Sequence, residues 1–213
     1  MKTVIQIVLF IVALFLAYLI YSSIQKPLEF EKAKKTRYDA TIERLKDIRK
    51  AEIAFRETYG EFTGSWDTLI SFVKYDSLKN VRKIGVLTDS MIAEGISERK
   101  AIRLGLIIRD TIRESVLTTL FTTDYPIDKL KYIPLINEKI EFQLGAAIYT
   151  TGSGIKVPIF EARAHNNNIL KGLNPEFDQL IINLNEQKRA NELYPGLKVG
   201  SLTETNNNSG NWE

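Results

Sequence analysis

The stretch TVIQIVLFIVALFLAYLIYS, residues 3–22, contains no Asp, Glu, Lys, Arg, Gly or Pro, and Gln6 is its only strongly polar member. A helix rises about 1.5 Å per residue, so a run of this length covers roughly the 30 Å hydrocarbon core of a bilayer. A single segment satisfies its own backbone polar groups in lipid only as a helix, so a membrane-spanning helix is the expected form. Tyr18 and Tyr21 stand near one end, where amphipathic rings rest at headgroup level, and Lys26 follows in the wet zone. A cleaved secretory signal is the competing reading, with Lys2 as a minimal positive start. The apolar run is longer than a signal core of roughly 7–15 residues, and YSSIQK offers no clear small-x-small site. An uncleaved anchor is therefore expected, with the bilayer as the partner of residues 3–22.

About 190 of the 213 residues lie beyond this run, enough for one domain with a real core or two small ones. A hydrophobic content of 44% with 26% charged residues is ordinary for a folded domain. The net charge of +3 gives no concentrated basic balance, so nucleic acid is not an expected partner. With no cysteine in the chain, disulfides, thiolate catalysis and cysteine metal sites are excluded. Orientation is argued both ways. Lys26, Lys32, Lys34, Lys35 and Arg37 crowd the far side of the span, which by the positive-inside rule favours a cytoplasmic domain. Long domains translocate largely regardless of charge, and a short tail ahead of an apolar start resembles a signal-anchor. A bacterial inner-membrane protein with its large domain in the periplasm is the expectation.

Gln25-Lys26-Pro27 reads as a break or kink, since proline removes a donor and clashes one turn back. Beyond it Tyr38, Ile42, Leu45, Ile48, Ala51, Phe55 and Tyr59 recur every three or four residues, an apolar stripe on a charged helix. The stripe either packs on the chain's own domain or, with its 3.5-residue period, forms a seam for a partner helix. Gly60 is the expected stop. If this helix ran on from the span, the combined rod would be on the order of 80 Å long.

Ser65 is a helix cap with Asp67 in the first turn, and Trp66, Leu69, Ile70 and Val73 form the buried face of the helix that follows, which is expected to end near Tyr75. Residues 79–83 read as a solvated basic turn, 84–87 as a short strand, and 88–95 as loop or frayed helix. Ser97 caps a helix of about ten residues with Ala101, Ile102 and Leu104 inward. Residues 107–120 carry both helical and extended signals and are read as a strand. Residues 139–164 alternate in hydrophobicity around Thr151-Gly152-Ser153-Gly154, the pattern of a β-hairpin. Pro158 marks the second strand as an edge or a bulge. Asn166-Asn167-Asn168 opens a polar loop, and Asn174-Pro175-Glu176 starts a helix with Phe177, Leu180, Ile181 and Leu184 on one face. A strand over 180–184 followed by a helix over 186–193 is the alternative there. A last strand is expected at 197–202, and the tail TETNNNSGNWE is too polar to fold alone. Trp212 in that tail suggests docking on the domain or on a partner. The fold class is thus α+β, in four segments: anchor 1–26, amphipathic helix or stalk 27–60, domain 61–202 and tail 203–213.

Chemistry is sparsely encoded. His165 is the only histidine, too few for the usual zinc site, and beside an asparagine run it reads as a surface residue. Gly152-Ser153-Gly154 lacks the outer spacing of a nucleophile elbow, and Ser97-Glu98-Arg99-Lys100 matches S-x-x-K without its companion motifs. No P-loop or G-x-G-x-x-G pattern occurs, and the span carries no ionisable side chain of the kind that ion paths need. No catalytic residue, metal site or cofactor is expected.

The first seventy residues, including AFRETYGEFTGSWDTL, resemble type IV pilins and secretion pseudopilins, in which an apolar helix runs into an amphipathic one and then into a folded core. The glycine-phenylalanine processing site and the early acid of those families are absent. The layout is also similar to the single-span periplasmic subunits of envelope machines of the ExbB/ExbD/TonB and TolR type, whose spans normally carry an aspartate that this chain lacks. Both resemblances imply a non-enzymatic, membrane-anchored subunit of an envelope complex, working by protein–protein contact, with a pseudopilin-like filament component as the first alternative. A membrane-tethered hydrolase and a cell-wall-binding protein are more distant alternatives.

Overall fold

The elements of the computed structural model follow from one long helix. It describes residues 2–86, 88–93 and 95–213. In chain order the elements are α1 (Lys2–Tyr59), α2 (Trp66–Tyr75), β1 (Ser77–Ile84), α3 (Asp89–Ala93), α4 (Glu98–Arg103), β2 (Ile108–Ser115), α5 (Val116–Leu120), β3 (Gln143–Thr150), β4 (Lys156–His165), α6 (Asn166–Ile169), α7 (Asp178–Ala190) and β5 (Gly196–Gly200). The fold is a mixture of helices and two small antiparallel sheets, β1-β2 and β3-β4-β5. Two compact units share α1: one comprises Met1–Arg49 and Lys129–Glu213, the other Lys50–Asp128. The boundary between the units falls within α1, which supplies core side chains to both.

The break expected at Pro27 does not interrupt the helix, which is assigned unbroken through it. Consecutive residues of unit one hold α1 on either side of the proline. Lys26 Nζ lies 3.1 Å from Glu176 Oε2, and the Phe30 ring meets Phe177 edge-on at 5.6 Å. These contacts offset the one hydrogen bond a helical proline forfeits. At its far end α1 stops as expected: Gly60 takes φ +85° and its N–H donates to Arg56 O at 2.7 Å.

In the first unit the core lies between α1 and the three-stranded sheet, with Leu45, Ile48, Phe142, Phe160, Ala162 and Val199 almost wholly enclosed. The hairpin forms as the alternation implied, Gln143 pairing with Arg163 and Thr150 with Lys156. Its second strand is not an edge, since β5 pairs with the other side of β4. Pro158 is nevertheless tolerated, because β5 pairs only from Glu161 to His165 and leaves the proline's stretch uncovered. Ile148 is 63% exposed, so the buried face fades toward the turn. Asn174 starts the next helix by accepting from Glu176 N–H at 3.1 Å, and one helix, α7, then occupies the stretch where a strand was the alternative.

The polar tail is folded onto the unit. Gly200 N–H donates to Ser209 O and Asn211 N–H to Lys198 O, each at 3.0 Å, extending the sheet edge. The Trp212 ring lies on Gly210, where an added Cβ would approach within 2.4 Å. Glu213 pairs with Arg49 of α1 at 2.7 Å.

In the second unit Ser65 caps α2 as expected, its Oγ accepting from Thr68 N–H, and Leu69, Ile70, Phe72 and Val73 are buried. Trp66 is only half-buried. The basic residues read as a turn lie inside β1, which ends at Ile84 where a strand was expected to begin; Leu87 lies outside the described residues. Of the stretch read as loop or frayed helix, α3 is helical, and Glu94 lies outside the described residues. The helix after Ser97 is six residues long, Ala101 inward but Leu104 58% exposed. The strand expected over 107–120 ends at Ser115. There Val116 N–H donates to Asp76 O at 3.1 Å, and its side chain is buried at the start of α5.

Replacing Leu45, which has no exposed surface, by Ala leaves a cavity in the helix–sheet core. The expected loss is about 2–5 kcal/mol in denaturant unfolding, whereas Leu104→Ala should change the midpoint little.

Candidate interaction site

The apolar stripe of α1 meets the chain's own core over most of its length. Leu45, Ile48 and Ala51 are fully enclosed, Phe55 is 8% exposed, and Ile42 is half-buried. Those four enclosed positions are covered by side chains of the same chain. The two ends differ. Tyr38 is engaged in a polar network, and Tyr59 is 54% exposed beside an open groove.

At the Tyr38 end, its hydroxyl donates to Asn166 Oδ1 at 2.5 Å, Asn166 Nδ2 donates to Asn185 Oδ1 at 2.9 Å, and Asn185 Nδ2 donates to Asn167 Oδ1 at 2.7 Å. Asn166 has no exposed surface. Burial pushes the Tyr38 phenol up to about 12, so it remains a proton donor at any physiological pH. The asparagine run expected as a polar loop is thus a short helix whose first residue ties α1 to α7. His165 caps this helix, its Nδ1 accepting from Asn167 N–H at 3.1 Å, and is half-buried against the Tyr194 ring. Burial and then the Arg189 charge lower its pKa. The neutral ring that the cap requires is therefore the form the fold favours.

At the Tyr59 end an open groove of about 640 Å³ is lined by Phe55, Tyr59, Asp67, Thr68, Ser71, Phe72, Tyr75 and Asp76. Phe55, Tyr59 and Phe72 form a mutual cluster with ring centroids 4.8–5.9 Å apart. Tyr59 Oη donates to Asp76 Oδ2 at 2.5 Å, and that carboxylate raises the phenol's pKa. Tyr75 stands 82% exposed at the rim. Aromatic faces with a polar rim are a composition found at protein contact sites.

Glu52 lies on the face of α1 that carries Phe55 and Tyr59 and has no exposed surface. Its Oε2 accepts from Thr63 N–H at 3.1 Å, while Oε1 has no hydrogen-bond partner among the described residues. Desolvation pushes its carboxyl up to about 8, with the Thr63 bond as the smaller opposing effect. Sequence reading passed over Glu52, Asn185 and Asp76, and took Asn166 for the start of a polar loop. Glu52 carried a signal, standing one position along from Ala51 and three before Phe55 in an otherwise apolar stripe. The remaining motifs stay apart: Ser97 makes no cap hydrogen bond, Ser153 bonds Thr151 within the hairpin turn, and no group of three or more His, Asp or Glu among the described residues is placed to hold a metal. No family model, no curated protein and no solved structure matches the chain.

Because the folded-state value of Glu52 lies above its ordinary 4.5, folding holds a proton that the unfolded chain releases. Its contribution to stability is complete below about 4.5 and is lost as pH rises through about 8. Urea midpoints should therefore fall across that interval by an amount that Glu52→Gln removes, the variant being relatively more stable at the alkaline end. A wild type and variant with parallel profiles would place the carboxylate in water.

Proposed function

We propose that the chain is a non-enzymatic, single-span protein of the bacterial inner membrane, its folded units in the periplasm, binding other subunits of an envelope complex for transport, secretion or energy transduction. One observation carries the reading. From Val4 to Leu28 the large apolar side chains of α1 are 45–65% exposed, although the same helix is buried in folded units further on. Each such side chain gains about 1.5–3 kcal/mol on leaving water, so an uncovered run of this size seeks an apolar medium. The groove beside Tyr59, rimmed by Tyr75 and Asp67, is the surface we assign to protein contact. A bare apolar half followed by an embedded half of one unbroken helix also favours a second reading, a pseudopilin-like filament component.

The full chain is expected in the membrane fraction, resistant to carbonate and released by mild detergent, and deletion of residues 3–22 should move it to the soluble fraction. A single cysteine at exposed Glu204 should react with an impermeant maleimide from the periplasmic side. Detergent-purified protein should carry stoichiometric partner subunits, lost on Tyr75→Ala together with Tyr59→Ala. Recovery as a lone monomer contradicts the complex, and an intact mass that includes Met1 contradicts the filament reading.

A further inference from the structure

The apolar run and the first folded contacts of α1 lie at nearly one level. Lys26 follows Ser22 by four residues, about 6 Å of helix rise, and Phe30 by eight, about 12 Å. The polar layer on each side of a bilayer is itself roughly 5–8 Å deep, the difference between core and full thickness shared over two faces. Lys26 therefore falls within that layer, and it is there that Glu176 already meets it.

A second observation sets the boundary independently. Ile24 and Leu28, four residues apart on one face of α1, are each 60% exposed, so apolar surface continues past Lys26 on that side. Lys26 and Phe30, also four apart, lie on the other side and are occupied by Glu176 and Phe177. On one face, then, the helix still presents lipid-compatible surface at the height where, on the other, the folded unit begins. No stalk separates them. Asn174, Pro175 and Glu176 are exposed at that height, while Tyr38 and Asn166 tie the same unit to α1 some 18 Å further along.

We propose that the turn 174–177 is seated on the phospholipid headgroups of the membrane that α1 enters, and that it braces α1 across Pro27. This rests on the membrane-anchored reading above. The bracing follows from the geometry: residues 176 and 177, adjacent in sequence, grip α1 one position before and three positions after the proline. A swing of the unit about Pro27 has to break one of those two contacts. Seating on headgroups and bracing are one device, since the same turn provides both.

The absence of cysteine permits a direct test. Pro175→Cys and, three residues before Asn208, whose carbonyl accepts from Arg49 at the far end of the same unit, Thr205→Cys are each labelled with a fluorophore in the full chain and reconstituted into phosphatidylethanolamine/phosphatidylglycerol vesicles containing headgroup-nitroxide lipid. Gln179→Cys, at the second residue of α7, serves as a second reporter should the Pro175 variant fail to fold. The reporter at 175 is expected to lose most of its fluorescence, and the one at 205 little. Inserting seven polar helix-forming residues between Ser23 and Ile24 lifts the turn by about 10 Å on the same helix face and should restore the signal. Co-flotation with vesicles but equal, weak quenching at 175 and 205 overturns the proposal while leaving the anchor intact. Failure to float with vesicles overturns the anchor itself.

Discussion

The helix α1 carries one backbone through two different surroundings, an uncovered apolar run and a packed core. Its first turns present Val4, Phe10, Leu14 and Ile20 outward with nothing folded against them, whereas Leu45, Ile48, Ala51 and Ala54 are enclosed by the rest of the chain. Because each backbone amide of a helix bonds within the helix, that change of surroundings needs no change of secondary structure. It needs only a change of side chain, and it falls around Pro27. A proline there would ordinarily be a weak point, since it deletes a bond and crowds the preceding turn. The Lys26–Glu176 pair is exposed and worth little alone, but the Phe30–Phe177 contact buries both rings beside it. The helix persists because apolar burial holds it on the far side of the proline.

Periodicity made the long elements legible. The stripe from Tyr38 to Tyr59, the cap at Ser65 and the alternation around Gly152 each repeat a local signal often enough to fix element type, and α1, α2 and the β3-β4 hairpin follow. Misread stretches were those where tertiary pairing overrides local chemistry. Lys79 to Lys83 carry turn-like charge, yet β1 forms because β2 lies opposite, Ser77 facing Ser115 and Ile84 facing Ile108. The asparagine run looked solvated because three amides in a row usually are; Asn166 is buried because Tyr38 and Asn185, distant in sequence, satisfy its side chain. Of the interaction site, Phe55 and Tyr59 were readable from spacing and the end of α2 near Tyr75 from its run of apolar positions, but Asp76 enters only through its bond to Tyr59, seventeen residues away.

The two buried polar features differ in what they ask of the fold. The Tyr38–Asn166–Asn185–Asn167 chain is neutral and bonded at each step, so it costs little and specifies one register of α6 and α7 on α1. A sliding of α1 by one residue takes the Tyr38 donor from the buried Asn166 Oδ1, a penalty of about 1–3 kcal/mol. Glu52 has one oxygen bonded and one without a partner, a half-satisfied group that the fold retains by keeping it protonated. Its bond to Thr63 spans the turn after α1 and secures the loop that leads into the α2 cap at Ser65.

The C-terminal tail completes the ties along α1 within the first unit. From Lys26 with Glu176, through Tyr38 with Asn166, to Arg49 with Glu213, the same unit grips the helix at three levels about 35 Å apart from first to last. One tie permits rotation about itself, and two permit rotation about the line that joins them. Burial of Leu45 and Ile48 between the second and third removes that last freedom, because turning the helix on its axis exposes both side chains to water at about 1.5–3 kcal/mol each. Within this unit the stretch of α1 from Lys26 to Arg49 is accordingly held against both sliding and rotation. Displacement of α1 along its axis is thus resisted at three levels by contacts of one unit and by the packed core between them.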